Sequence, residues 1–169
     1  MGIADLIANG GLSADQSIVN PIPHSGFAVL QVCLSYFETA GRYCLLPQKI
    51  HFKHGDKFKN GVLLVLPELA SLTVPERDAL LATLYHGARC GLYHASRTGP
   101  RVGLGQPPNG AALDYDSKEH VLRISPERLP KLLKRHLEKF SAELKDSANV
   151  QARQKFQEEY ERDEKQQYG

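Results

Sequence analysis

The sequence predicts a mainly α-helical bundle with one small β-hairpin inserted near residues 111–124. Three features carry that expectation: an almost wholly apolar segment at 24–44, a capped amphipathic segment opening at Thr73, and a long amphipathic segment beginning at Ser125-Pro126. The composition agrees with it. At 169 residues, 41% hydrophobic and 24% charged, the chain has one domain's worth of core and is composed like a globular protein rather than a disordered one. The division read from the sequence is an irregular lead-in at 1–23, a helical domain at 24–147 and a charged, helical or frayed tail at 148–169.

In chain order, residues 1–23 carry Gly10-Gly11 and the Pro21-Ile22-Pro23 bracket, with a short helix around Ile3 to Ala8. From His24 to about Cys44 the polar residues Gln31, Ser35, Glu38 and Arg42 fall four, three and four apart, one narrow wet stripe on a helix otherwise lined by Phe27, Leu30, Val32, Leu34, Tyr36 and Phe37. Such a helix is packed on several sides or lies at a subunit interface. Residues 45–61 read as loop or short turns, basic and holding His51 and His54. The run Val62 to Leu66 suits a short buried helix better than a strand, because no partner strand is evident nearby.

Thr73, with Pro75 in the first turn and Glu76 three residues on, forms a capping box. The helix it opens has its apolar face through Leu80, Leu81, Leu84, Tyr85, Ala88 and Leu92, and ends near Ser96 to Gly99. Residues 99–110, with four Gly and three Pro, read as loop. Leu113 and Tyr115, a turn at Ser117 to His120, then Val121 to Ile124 form the expected hairpin. Ser125 caps and Pro126 opens the long helix, whose apolar face runs from Leu129 to Leu144 and whose outer face carries Arg128, Lys131, Lys134, Arg135 and Lys139.

Charge and cysteine content bound the functional classes. Lys+Arg 21 against Asp+Glu 19 leaves +2, a balance that permits a nucleic-acid partner without demanding one. Cys33, Cys44 and Cys90 cannot pair completely and sit among apolar residues, as expected of a reducing compartment. With no apolar run of membrane-spanning length and no signal-like start, the expectation is a cytoplasmic protein with no membrane partner. Gly103-Leu104-Gly105 lacks the third glycine of a dinucleotide fingerprint, and Gly55 to Gly61 lacks the Lys-Ser/Thr pair of a phosphate-binding loop. His51 and His54 have no companions at metal-ligand spacing, so they read as solvated loop histidines and no metal or cofactor is expected.

The chemistry concentrates in Arg89-Cys90-Gly91-Leu92-Tyr93-His94, at the end of the best-defined helix. Arg presents a permanently charged fork suited to a phosphodiester, and His exchanges protons near neutral pH. Five residues on an ideal helix turn about 140° beyond a full circle, so Arg89 and His94 do not share a face unless the helix loosens at Gly91 or two subunits meet. His86 and Tyr93 lie closer to the Arg89 face.

These residues resemble the signature of the HEPN family, an Arg, four to six residues, then a His near the end of a long helix; Arg89 and His94 match with four between. The resemblance covers that signature and a helical context over roughly 24–147. It implies a homodimer whose paired Arg89 and His94 line one cleft and cut single-stranded RNA without metal, the ribose 2′-hydroxyl acting as nucleophile, in a defence or toxin–antitoxin setting with an inhibitory or regulatory protein partner. His86, Cys90 and Tyr93 would support the site, and Arg97, Lys134 and Arg135 would guide the strand. Two departures stand out: Cys90 follows the Arg where the family commonly has Asn, Asp or His, and Ser96 stands where members controlled by nucleotidyl transfer carry Tyr. A catalytically silent RNA- or protein-binding member, and an unrelated helical adaptor, are the alternatives. In a wholly bland account Arg89 and His94 merely complement a helix C-terminus.

Overall fold

A computed structural model describes residues 26–44 and 55–168 of the chain. The readings made above for 1–25 and 45–54, including the lead-in helix, His51 and His54, lie outside the described residues. Helix α1 (Gly26–Tyr43) buries Val29, Leu30, Cys33, Leu34, Phe37 and Ala40. Its apolar surplus is not wholly covered within one chain, since Phe27 and Val32 each remain 43% exposed.

Helix α2 (Asp56–Val65) takes in the Val62 run as a helix, but it starts earlier than the apolar pattern shows. Residues 56–61, read as loop, form its first turns because Phe58 supplies a core anchor ahead of that run. Phe58 packs edge-on against Phe37, with ring centroids 5.7 Å apart. Helices α1 and α2 meet through glycines. A Cβ at Gly41 would stand 1.7 Å from the Lys57 carbonyl oxygen, and one at Gly61 would stand 1.7 Å from the Phe37 carbonyl oxygen.

A 3₁₀ turn (Pro67–Ser71) leads to helix α3 (Val74–Thr83). The Thr73 backbone N–H and hydroxyl both donate to the Glu76 carboxylate, at 3.2 and 2.7 Å. The same rod continues as a π-helical segment (Leu84–Cys90) and a last α-turn, α4 (Gly91–Ala95), ending at Ser96 with a left-handed backbone (φ 51°). π segments are rare insertions in α-helices and recur at functional sites. Here two glycines allow the following loop to fold back on the rod: the Gly99 amide donates to the Gly87 carbonyl at 2.7 Å, and a Cβ at Gly91 would come within 2.6 Å of the Arg97 carbonyl oxygen.

The hairpin is present as β2 (Leu113–Asp116) and β3 (Val121–Ile124), antiparallel. The glycine-rich stretch before it is not all loop. Strand β1 (Val102–Leu104) pairs parallel to β3, giving the order β1-β3-β2. Leu122 and Ile124 of the central strand are fully buried against the helices. Helix α5 (Leu129–Lys145) begins three residues later than the Pro126 signal indicates; the Ser125 hydroxyl accepts the Arg128 amide at 3.2 Å in the preceding turn. Helix α6 (Val150–Tyr168) returns along α1, with Phe156 packed on Tyr43 at 5.2 Å and on Phe140 of α5 at 6.2 Å. The whole is a helical bundle flanked by a three-stranded sheet, and no helix among the described residues is long and apolar enough to cross a membrane.

Candidate functional site

Arg89 lies in the widened part of the α3–α4 rod, and residues four positions away on either side bracket it. Its guanidinium carbon is 4.7 Å from the centroid of the Tyr93 ring and 5.8 Å from that of Tyr85, so the cation is held between two aromatic faces. Tyr85 is itself wedged in place: its ring packs on Phe58 at 5.5 Å and leaves room for no side chain at Gly55, where a Cβ would come within 2.5 Å. Across from this stack, α1 delivers Glu38. Both of its carboxylate oxygens accept from one Arg89 nitrogen, Nη2, at 3.0 Å.

This pairing differs from a two-nitrogen fork. Glu38 engages a single corner of the guanidinium, and the Arg89 Nε is buried with no acceptor among the described residues. Burial works to lower the Arg89 pKa, but hydrogen bonding to Glu38 and its charge outweigh that and raise it, with smaller contributions from Cys90 and Tyr85. The side chains are 20% (Arg89) and 38% (Glu38) exposed, so solvent reaches the pair.

His94 sits one α-turn beyond the π segment and is exposed. Among the described residues no hydrogen bond, ion pair or ring contact joins it to Arg89. Tyr93, 53% exposed and expected as a supporting residue, is brought directly to Arg89. Cys90 is half-buried and a free thiol beside it. His86 is exposed and stacks edge-on against Tyr85, with centroids 5.0 Å apart. The turn at Ser96 brings the Arg97 backbone against Gly91, and the Arg97 side chain is exposed. Lys134 and Arg135 lie exposed on α5, and no hydrogen bond, ion pair or ring contact among the described residues joins either to Arg89.

Two members of this arrangement, Tyr85 and Glu38, lie outside the candidate residues that the sequence offers. Tyr85 was readable there, because 85, 89 and 93 repeat at four-residue spacing along one helix face. Glu38 was not, since 51 positions separate it from its partner and only the α1–rod packing joins them.

Chemically, the site offers a stacked guanidinium with donors to spare, an exposed imidazole further along the same rod and a carboxylate competing for the cation. No group of three or more His, Cys, Asp or Glu among the described residues gathers in a metal-binding arrangement. Comparison with family models, with curated proteins and with solved structures finds no match.

Proposed function

We propose that this chain is a HEPN-like, metal-independent endoribonuclease acting on single-stranded RNA, with its site composed from two copies of the α3–α4 rod. The observation that carries the reading is Arg89 held between Tyr85 and Tyr93, with His94 exposed on the next turn. A guanidinium fixed by aromatic faces keeps a defined direction for a phosphodiester, and an exposed tyrosine beside it is a surface for an unpaired base.

In this reading Arg89 holds the scissile phosphate and neutralises the charge that builds on its oxygens. The 2′-hydroxyl attacks the adjacent phosphorus; the new 2′-O–P bond forms as the P–O5′ bond breaks, leaving a cyclic phosphate and a 5′-hydroxyl. The His94 of the second copy takes the proton from the 2′-oxygen as general base and, now charged, gives it to the leaving 5′-oxygen as general acid. The phosphodiester exchanges with Glu38, one monoanion for another, so Arg89 does not pass through an unpaired state.

A second reading has its own support. Glu38 already occupies Arg89, and Cys90 stands where the family commonly carries an amide, carboxylate or imidazole side chain. Both favour a silent member that binds RNA and leaves it intact. One experiment separates the two. With EDTA present, the purified protein is expected to cut a single-stranded RNA, and His94→Ala or Arg89→Ala to lower the rate by at least about a hundredfold. Circular dichroism and melting checks guard against loss of fold. RNA bound but uncut by the parent protein selects the silent module, and equal cleavage by parent and both variants removes the assignment.

A further inference from the structure

One helical turn along α1 from Glu38 stands Arg42, and the two pairings of this helix are alike. Glu38 accepts from Arg89, while Arg42 donates to Asp163, a carboxylate delivered by α6. The Tyr43 hydroxyl donates to the same Asp163 oxygen at 2.5 Å. Between these pairs lies an open groove of about 410 Å³ lined by Ser35, Glu38, Thr39, Arg42, Tyr43 and Lys57. Arg42, Tyr43 and Lys57 together make an oxyanion seat: a guanidinium, a phenolic donor and an ammonium whose field reaches Asp163. Positions 38 and 42 are separated by about 6 Å along the helix axis, on the scale of the step between neighbouring phosphates of an extended strand.

We propose that this groove is a second phosphate subsite for the RNA strand held at Arg89, and that Asp163 of α6 is the acidic side chain the strand displaces from it. The RNA identity rests on the ribonuclease reading; the oxyanion chemistry of the groove does not. Asp163 is well suited to give way. Its helix packs on the bundle through the buried Ala152 and through Phe156, upstream of Asp163, and the Asp163 side chain is 21% exposed to competing anions. A strand crossing the groove meets Lys57 and Arg42 as phosphate contacts and Tyr43 as a ring at its edge, the combination of basic groove and aromatic surface that holds single strands without reading sequence.

The test is fluorescence anisotropy of a labelled single-stranded RNA 12-mer with the full chain carrying His94→Ala, in EDTA, over a salt series. Lys57→Ala, which leaves the Arg42–Asp163 pair in place, is expected to weaken binding about fivefold and to flatten the salt dependence by about one phosphate contact. Arg42→Ala is expected to weaken it by a similar or larger factor. Asp163→Asn is expected to tighten binding severalfold in the His94→Ala background and by less once Arg42 is also Ala. Affinity unmoved by Lys57→Ala and by Asp163→Asn overturns the proposal, as does displacement of the RNA by adenosine monophosphate at equal phosphate concentration. If the protein cuts no RNA but binding follows these expectations, the groove stands and the nuclease falls; if it cuts and binding ignores them, the groove alone falls.

Discussion

At Arg89 two kinds of partner share one cation: ring faces that fix its plane and a carboxylate that takes one of its nitrogens. The rings cost the guanidinium no hydrogen-bond donor, so Tyr85 and Tyr93 orient it without using the groups a phosphate needs. Glu38 does use one, and because the pair is reached by solvent its net hold is modest. A hold of that size is one the proposed exchange of Glu38 for a phosphodiester requires. Elsewhere His136 ties the α1–α5 contact to pH near neutrality. The Tyr36 hydroxyl and His136 Nδ1 lie 2.8 Å apart where α5 crosses α1. Burial holds the His136 pKa below its ordinary value of 6.5, with Lys139 acting in the same sense and Glu143 against it. Between the lowered value and 6.5 the unfolded chain binds a proton that the folded chain refuses, so this contribution is complete above 6.5 and is lost as pH falls through that window. The expected result is a melting temperature that drops on acidification below 6.5, with a shallower drop in His136→Gln. Identical slopes for parent and variant would remove His136 as the cause. The half-buried carboxylates Asp116 and Asp163, whose pKa values are lowered, lose their charge further down the pH scale and cancel in that comparison.

Among the elements, the α1–α2 pair governs the geometry of everything around Glu38 and Arg42. Its backbones touch at Gly41 and Gly61, with no space for a methyl group on either side. Gly61→Ala therefore forces the helices apart and carries Lys57 away from Arg42. Urea unfolding is expected to show a loss of about 3 kcal/mol or more, from overpacking against rigid main chain. Gly103→Ala is the control: its Cβ meets nothing within 4 Å, and its stability should match the parent's. A small effect at Gly61 would mean the helices separate cheaply. The same pair shows which elements local sequence can and cannot announce. The long helices are legible because their polar residues recur at helical spacing, and the Thr73–Glu76 cap because both partners lie within one turn. Strand β1 is hidden because it is three residues long, is centred on a glycine and pairs with a strand twenty positions on. The π segment is hidden for a related reason. What stands out there is the glycine pair 87 and 91, and its meaning comes from the returning loop at Gly99. Arg89 and Tyr93 could be placed together from spacing alone. Glu38 and Asp163 come from other helices and could not.

For the whole molecule, the deciding geometry is that of Arg89 and His94. Among the described residues no hydrogen bond, ion pair or ring contact joins them, and the widened stretch Leu84–Cys90 ends one residue after Arg89. Tyr93 beside Arg89 and Val32 and Phe27 on α1 leave apolar surface exposed on one copy. If two rods meet to complete the site, the functional unit is the pair, and a lone chain of 18.8 kDa holds only half of it. This makes a prediction about mixtures. Arg89→Ala and His94→Ala proteins, each inactive alone, are unfolded together, refolded and assayed on single-stranded RNA in EDTA. A mixed dimer keeps one Arg89 and one His94, on different copies. If catalysis runs between copies, the mixture recovers a measurable fraction of parental cleavage, up to about half when partners exchange at random and mixed dimers are half the population. If both groups must come from one copy, no mixed dimer has them and the mixture stays silent. Sedimentation at micromolar concentration accompanies the assay, because a mixture that regains activity while every species sediments as a monomer would contradict a shared site.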